Sequence, residues 1–174
     1  MKTYRNEKLG FEIDAPDEWS PPKFGASQVP FGESIVFGCT YFEAFNFQIG
    51  LLCPEQSLEQ TEKEFRGYVQ RNNYSALEFG RIMVEGKEHI WARYYLGGGR
   101  WNKKYLLVLS GIEYAITATC FYQNMLLERE KIWDTVVGSF HMLTFPDSDN
   151  RIETLRKATE SFEANYGLSG LEKS

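Results

Sequence analysis

The sequence predicts an α+β domain: an antiparallel sheet of six to eight strands with at least two helices packed against it, and a further helix near the C-terminus. Three observations lead to this prediction. The chain of 174 residues is 43% apolar and 16% aromatic, which is enough to build a core rich in sheet. Several β-rich runs are separated by short glycine-bearing loops, which typically join antiparallel neighbours. Amphipathic segments with a period of about 3.6 residues interrupt these runs and indicate helices.

The chain opens with a predicted hairpin of two strands, at residues 3–7 and 11–15. In the second strand apolar residues alternate with acidic ones, which is the pattern of a strand with one buried face. Pro16 ends this strand, and we expect Trp19 behind it to fold back and cover the edge of the core. Residues 20–33 contain three prolines and are predicted to form an irregular loop.

Two strands and a helix are predicted next. Residues 34–40 and 45–53 are almost continuously apolar, as the central strands of a sheet are. The spacing of the apolar residues then changes, and a capping box that starts at Ser57 precedes a predicted helix over residues 58–71.

A meander of four strands follows this helix. Each run is rich in β-branched and aromatic residues, and the connections contain Gly86, three glycines at 97–99, and Gly111. The predicted strands are residues 76–85, 87–96, 100–110 and 113–121. Because these connections are too short to cross over the face of a sheet, the four strands are expected to be antiparallel.

A second helix is predicted over residues 124–137. Asn124 is a suitable N-cap for it, and Gly138 is a suitable terminator. Residues 139–143 then have the character of a last, short strand.

The C-terminal part of the chain is predicted to be helical. A capping-box sequence begins at Asn150 and predicts a helix over residues 150–166 with a narrow apolar stripe. We therefore divide the chain into a domain of residues 1–145 and a C-terminal amphipathic helix with its tail, residues 146–174. Since so polar a helix gains little stability alone, it either docks on its own domain or joins two copies into a homodimer.

Two short segments resemble a known family. Residues 4–19, which read YRNEKLGFEIDAPDEW, look like an opening hairpin that ends in Pro-x-x-Trp, and Ser139-Phe140 follows the second predicted helix. Together with the order of elements they resemble the PsbP-like superfamily, which includes the photosystem II extrinsic subunit, the Ran-binding Mog family and bacterial DcrB-type proteins. The resemblance implies an antiparallel sheet sandwiched by helices, no shared catalytic residues, and functions that are mostly protein binding.

Composition and charge exclude several classes of function. A net charge of −5 argues against nucleic-acid binding, because neutralising phosphates requires an excess of lysine and arginine. No apolar run approaches the roughly 20 residues of a membrane helix, and the N-terminus lacks the apolar region of a signal peptide. Cys39, Cys53 and Cys120 are widely spaced and odd in number, which suggests buried free thiols in a reducing compartment. We therefore expect a soluble cytoplasmic protein that binds neither nucleic acid nor membrane.

No motif in the sequence carries recognisable catalytic chemistry. His89 and His141 are the only histidines, neither has the context of a triad, and the sequence contains no G-x-S-x-G nucleophile motif. The histidines and cysteines lack the spacing of a metal site, and the three glycines at 97–99 fit a hairpin loop better than a phosphate-binding loop. We therefore predict no catalytic residues, no metal site, no cofactor, and a protein that is not an enzyme.

One predicted hairpin combines positive charge with aromatic residues. Strand alternation places Trp91, Arg93 and Tyr95 on one face, and Arg100 and Trp101 open the next strand. Tryptophan, tyrosine and arginine dominate protein-binding hot spots, so these five residues are our candidate binding residues. The alternative is that a helix covers this face and that Arg93 only extends along it to reach solvent.

Two hypotheses of function follow. In the first, the protein is a non-catalytic, protein-binding or chaperone-like module that binds a protein partner through this hairpin. In the second, it is a small-molecule-binding protein, or an enzyme without a recognisable motif. Its pocket would then lie between sheet and helices and be lined by some of Trp91, Tyr95, Trp101 and Tyr105.

Overall fold

The computed structural model describes residues 1–6, 10–25, 33–38, 43–51, 57–109 and 112–143. Within these residues the chain forms ten strands and two helices. In chain order they are β1 (Lys2–Asn6), β2 (Phe11–Ala15), β3 (Ser20–Gly25), β4 (Glu33–Gly38), β5 (Glu43–Leu51), α1 (Leu58–Arg71), β6 (Ser75–Val84), β7 (Lys87–Gly97), β8 (Arg100–Leu109), β9 (Ile112–Cys120), α2 (Gln123–Gly138) and β10 (His141–Met142). This order confirms the predicted α+β class. The predicted C-terminal helix at 150–166, and with it the division of the chain near residue 145, lies outside the described residues.

The strands form two antiparallel sheets. The larger sheet has seven strands in the order β3-β4-β5-β9-β8-β7-β6, and the smaller one contains β1, β2 and β10. The larger sheet agrees with the predicted six to eight strands, and each strand of the meander begins and ends within one residue of its predicted bounds. Because β5 pairs with β9, α1 carries the chain from the middle of the sheet to its edge at β6.

The prediction of an irregular loop over residues 20–33 is wrong at its start, where the chain forms β3, and its part at 26–32 lies outside the described residues. Among the described strands, β3 lies at the edge of the larger sheet and pairs with β4 alone. Its register shifts between Ser20 and Lys23, which spans Pro21 and Pro22. Proline has no backbone N–H to donate to a ladder, but it is tolerated at sheet edges and bulges. The two prolines therefore limit the pairing of β3 without preventing it.

The two helices start in different ways. The Ser57 side chain accepts a hydrogen bond from the backbone N–H of Gln60 at 3.1 Å, which confirms the predicted cap of α1. The predicted N-cap of α2 is wrong, because Tyr122 occupies that position and Asn124 lies in the first turn. The first turn forms when the Tyr122 carbonyl accepts a hydrogen bond from the Met125 N–H at 3.1 Å.

The helices cover opposite faces of the larger sheet. On the first, which we call the α1 face, Phe65 and Val69 of α1 pack with Ala92 and Tyr94 of β7. Neighbouring residues in a strand point to opposite faces, so Trp91, next to Ala92, lies on the other face of the sheet. We call this the α2 face, because Trp91 contacts the larger core beneath α2. The buried residues of that core include Tyr105, Leu107, Tyr114, Ile116, Trp133, Val136 and Val137. The sheet is therefore sandwiched by helices, as the resemblance implies.

The smaller sheet closes the core on the α2 side. The ring of Phe11 stacks on that of Phe140, with a centroid separation of 5.4 Å. Trp19 follows β2 and is 1% exposed, and its ring centroid lies 4.9 Å from that of Phe45. The predicted burial of Trp19 is confirmed.

Two further expectations from the sequence concern free cysteines and membrane-spanning segments. Cys120 is a buried free thiol, as predicted, whereas Cys39 and Cys53 lie outside the described residues. Neither of the two described helices is long and apolar enough to span a membrane.

Candidate functional site

The five predicted binding residues lie on the hairpin formed by β7 and β8. The register of this hairpin pairs Trp91 with Tyr105, Arg93 with Lys103, and Tyr95 with Trp101. These six residues share the α2 face, because paired residues of neighbouring strands point to the same side. Arg100 is the first residue of β8 and is exposed.

Helix α2 covers the middle of this hairpin. Nη1 of Arg93 donates hydrogen bonds to both carboxylate oxygens of Glu130, each at 3.0 Å. Its Nη2 pairs with Glu78 of β6. Only 17% of the Arg93 side chain is exposed. The alternative in which a helix covers this face therefore describes Arg93, whose charge is neutralised from two sides.

A second polar group lies one helical turn further along α2. Lys103 Nζ is 2.8 Å from Oδ1 of Asp134, and the hydroxyl of Tyr105 donates to the same carboxylate oxygen at 2.7 Å. The Lys103 ammonium also lies 4.1 Å from the centroid of the Trp91 ring. Burial, reinforced by the negative charge of Asp134, raises the pKa of Tyr105 far above its usual range, so the phenol stays protonated and donates. Trp91 and Lys103 thus belong to the interface between the sheet and α2.

The end of the hairpin presents a different surface. The rings of Tyr95 and Trp101 lie 5.1 Å apart, and the Tyr95 hydroxyl accepts a hydrogen bond from the backbone N–H of Gly99 at 3.0 Å. A β-carbon placed on Gly99 would lie 3.2 Å from the carbonyl oxygen of Phe121, so the turn of the hairpin lies against the link between β9 and α2. Both Tyr95 and Trp101 are partly exposed.

Three large apolar side chains are exposed on and after that link. The exposed fractions are 39% for Phe121, 49% for Tyr122 and 69% for Leu127. We call the surface formed by Tyr95, Arg100, Trp101, Phe121, Tyr122 and Leu127 the aromatic end. It contains three of the five predicted residues. Sequence reasoning missed the other three because they follow β9 along the chain, and only the fold brings that segment against the turn of the hairpin.

The α1 face holds a pocket that sequence reasoning also missed. A cavity of about 220 Å³ lies between α1 and strands β8 and β9. Its floor is formed by Lys104, Leu106 and Val108 of β8 and by Glu113 of β9, and α1 contributes the wall. The signal in the sequence is that Lys104 shares a strand face with two apolar residues, a position at which lysine is uncommon. None of the four residues predicted to line a pocket belongs to this one.

The histidines have structural contacts. His89 is buried, and its Nδ1 accepts a hydrogen bond from the backbone N–H of Val108 at 3.3 Å. His141 is exposed, with its Nδ1 2.5 Å from a carboxylate oxygen of Glu85. Within the described part of the chain, no three histidine, cysteine, aspartate or glutamate side chains come close enough together to hold a metal ion.

Comparison with known proteins identifies the fold. No protein-family model matches the chain, and no curated protein matches its sequence. The solution structure of cyanobacterial PsbP (CyanoP) from Synechocystis sp. PCC 6803 is similar, with a TM-score of 0.63 and 16% identity over 81% of this chain and 91% of that one. The Ran-binding protein Mog1p of Saccharomyces cerevisiae is similar with a TM-score of 0.53 and 10% identity, over 82% of this chain and 95% of that one. The chain therefore has the PsbP-like fold.

Proposed function

We propose that this protein is a non-catalytic protein-binding module, of a chaperone-like or adaptor kind, and that it binds its partner through the aromatic end. One observation carries the proposal: Phe121, Tyr122 and Leu127 expose 39%, 49% and 69% of their surface, and the hairpin turn next to Tyr95 and Trp101 lies against the Phe121 backbone at Gly99. Large apolar side chains that are exposed in one region of a surface favour burial against another molecule.

The composition of the aromatic end suits a protein partner. Tyrosine, tryptophan and arginine are the residue types that contribute most to protein interfaces. Arg93 and Lys103 are paired with carboxylates of α2, whereas Arg100 is exposed at the edge of the aromatic end. The partner we propose is therefore an apolar segment of another protein with an acidic residue beside it, placed to pair with Arg100.

The structural comparisons support this class of function. Mog1p is a Ran-binding protein with the same fold, so the fold is compatible with a binding role. At 10% identity the likeness extends to the fold alone, and the identity of the partner is not part of the proposal. The proposal includes a cytoplasmic location, which the buried free thiol of Cys120 suits.

A matched pair of surface variants tests the proposal. In Phe121→Ser/Tyr122→Ser the centre of the aromatic end becomes polar. In Met83→Ser an exposed apolar side chain is removed from β6, at the opposite end of the ladder of β6 and β7 from Tyr95. Proteins captured from native cells by the wild-type chain are then quantified for each variant. We expect capture of a specific protein to fall at least tenfold for the double variant and to persist for Met83→Ser. Equal capture by all three chains would rule out the aromatic end.

We further propose a homodimer that residues 150–166 assist. The support comes from the sequence, in which Ile152, Leu155, Phe162 and Tyr166 recur on one side of a predicted helix that is otherwise strongly charged. Light scattering on the full-length and truncated chains tests it, because a dimer that depends on this segment is lost when the segment is removed.

A further inference from the structure

The pocket on the α1 face has opposite charges at its two ends. Lys104 is paired with Thr117 in the ladder of β8 and β9, and Glu113 is paired with Val108. The two charged residues are thus four ladder positions apart on one sheet face, which is about 13 Å between their backbones. Leu106 and Val108 form the apolar floor of the same pocket.

Both charged groups of the pocket, Lys104 and Glu113, are partly withdrawn from water. Among the described residues, no hydrogen bond or ion pair joins Lys104 or Glu113 to another side chain, although both line the pocket. Burial lowers the pKa of Lys104 and raises the pKa of Glu113, and the attraction between the two charges opposes both shifts. Ionisable groups that are withdrawn from water without a hydrogen-bonding partner are costly to the fold. A ligand that supplies both missing partners removes that cost.

The wall contributed by α1 orients the lysine and adds apolar contact. The Lys104 ammonium lies 5.7 Å from the ring centroid of Phe65 and 5.8 Å from that of Tyr68. These rings hold the ammonium by cation–π attraction without occupying its hydrogen-bond donors. Glu64 of α1 also lines the pocket, and its negative charge contributes to the raised pKa of Glu113. The pocket therefore has one positive end and one negative end with apolar surface between them.

We propose that this pocket binds a small zwitterion of the amino-acid class. The carboxylate of the ligand accepts hydrogen bonds from Lys104, its ammonium donates to Glu113, and its methylene groups lie on Leu106 and Val108. A volume of about 220 Å³ suits a ligand of this size. A singly charged molecule satisfies one end and leaves the other unmatched, so the pocket selects for both charges. This inference does not depend on the aromatic end, which involves other residues.

Calorimetric titration with a graded set of ligands tests the proposal. The probes are glycine, β-alanine, γ-aminobutyrate and 6-aminohexanoate, which separate the two charges by increasing lengths, with butyrate and butylamine as singly charged controls. We expect saturable binding with a best chain length, at least tenfold tighter than that of either control. Binding of butyrate or butylamine as tight as that of the best zwitterion, or no saturable binding of any probe at millimolar concentration, overturns the proposal.

Charge-removing variants locate the site. Lys104→Met and Glu113→Gln are each expected to weaken the best zwitterion about tenfold or more. The controls are Lys131→Met and Glu128→Gln, which remove exposed charges from α2 and should leave the affinity unchanged. Unchanged affinity in both pocket variants contradicts the proposal. If a pocket variant fails to fold, amide chemical shifts of the wild-type chain give the same answer: changes around Lys104 and Glu113 support the site, and changes confined to the α2 face exclude it.

Discussion

Lys103 of β8 and Asp134 of α2 form an ion pair across the interface between sheet and helix. Nζ of the lysine lies 2.8 Å from Oδ1 of the aspartate, and the lysine side chain is 3% exposed while that of the aspartate is 44% exposed. The hydroxyl of Tyr105 donates to the same carboxylate. The positive charge is thus withdrawn from water and depends on a carboxylate that water still reaches.

This asymmetry predicts that removing the acid is worse than removing the base. Asp134→Ala leaves the buried ammonium and the Tyr105 hydroxyl without this acceptor, and we expect it to lower the free energy of unfolding by about 2–3 kcal/mol, below the range for fully buried pairs. Lys103→Met keeps the packing on Trp91 and leaves Asp134 hydrated, so it should cost less. Urea unfolding of both variants measures the difference. Glu128→Ala, at an exposed position of α2, is the control and should stay within about 0.5 kcal/mol of wild type. Equal losses for the two pair variants would contradict this explanation.

Gly80 of β6 lies directly under the ring of Trp91, so a side chain at position 80 is expected to destabilise the fold. A β-carbon added at Gly80 would lie 2.2 Å from the nearest atom of that ring, so the indole must move. We expect Gly80→Ala to cost about 1–3 kcal/mol, as overpacking does. Gly138→Ala is the matched control and should not lower the free energy of unfolding. A β-carbon there meets nothing within 4 Å, and alanine is favoured over glycine in a helix by about 1 kcal/mol.

Removing the ring of Trp91 should relieve the overpacking at position 80. In Gly80→Ala/Trp91→Leu the ring is gone, so the total loss should be smaller than the sum of the two single losses. Urea unfolding of wild type, Gly80→Ala, Trp91→Leu and the double variant completes a double-mutant cycle and gives the coupling energy between the two positions. Additive losses would mean that the added methyl group does not act through Trp91.

The sequence is sufficient to predict the parts of the fold that local patterns determine. The capping box at Ser57 predicts the start of α1, and the spacing of its apolar residues predicts its extent. The glycine-bearing turns predict the meander to within one residue. The position of Trp19 behind Pro16 predicts its burial. The strand β3 is missed, because prolines usually exclude a strand and only its place at the sheet edge makes them acceptable.

The candidate site is less predictable, because its contacts join distant parts of the chain. Alternation correctly places Trp91, Arg93 and Tyr95 on one face, but which of them is covered depends on Glu130, 37 residues beyond Arg93. Sequence patterns do not reveal that pairing, because neither residue belongs to a motif. The same limit applies to the pocket, where α1 forms the wall although it lies far along the chain from Lys104 and Glu113.

Burial of His89 predicts a dependence of stability on pH. Desolvation, assisted by the charge of Lys87, lowers the pKa of His89 in the folded state below the ordinary value of 6.5. Below about pH 6.5 the unfolded chain therefore takes up a proton that the folded chain resists, so stability falls as the pH decreases toward the folded pKa. Above about pH 6.5 His89 is neutral in both the folded and the unfolded chain, so it no longer makes stability depend on pH.

The variant His89→Asn isolates this contribution. The amide oxygen of asparagine can replace Nδ1 as the acceptor for the Val108 N–H, but it does not titrate. We expect the loss of unfolding free energy between pH 7.5 and pH 5.5 to be larger in wild type than in His89→Asn, measured by urea unfolding at each pH. The same loss in both proteins would assign the pH dependence to other groups.

The proposed homodimer predicts that the C-terminal segment controls the mass of the particle in solution. Truncation after Phe145 removes the predicted helix at 150–166 with its apolar stripe, and the described fold ends before that point. We expect light scattering to give the mass of a dimer for the full-length chain and of a monomer for the truncated one. In Leu155→Asp/Phe162→Asp the segment stays in place while its stripe gains two charges. This variant should also be monomeric, because burying unpaired carboxylates is costly.

The control is Arg156→Asp/Glu160→Lys, which changes only charged positions beside the stripe and should remain a dimer. Dimers of both the full-length and the truncated chain would place the interface elsewhere, and a monomeric full-length chain would mean that no homodimer forms.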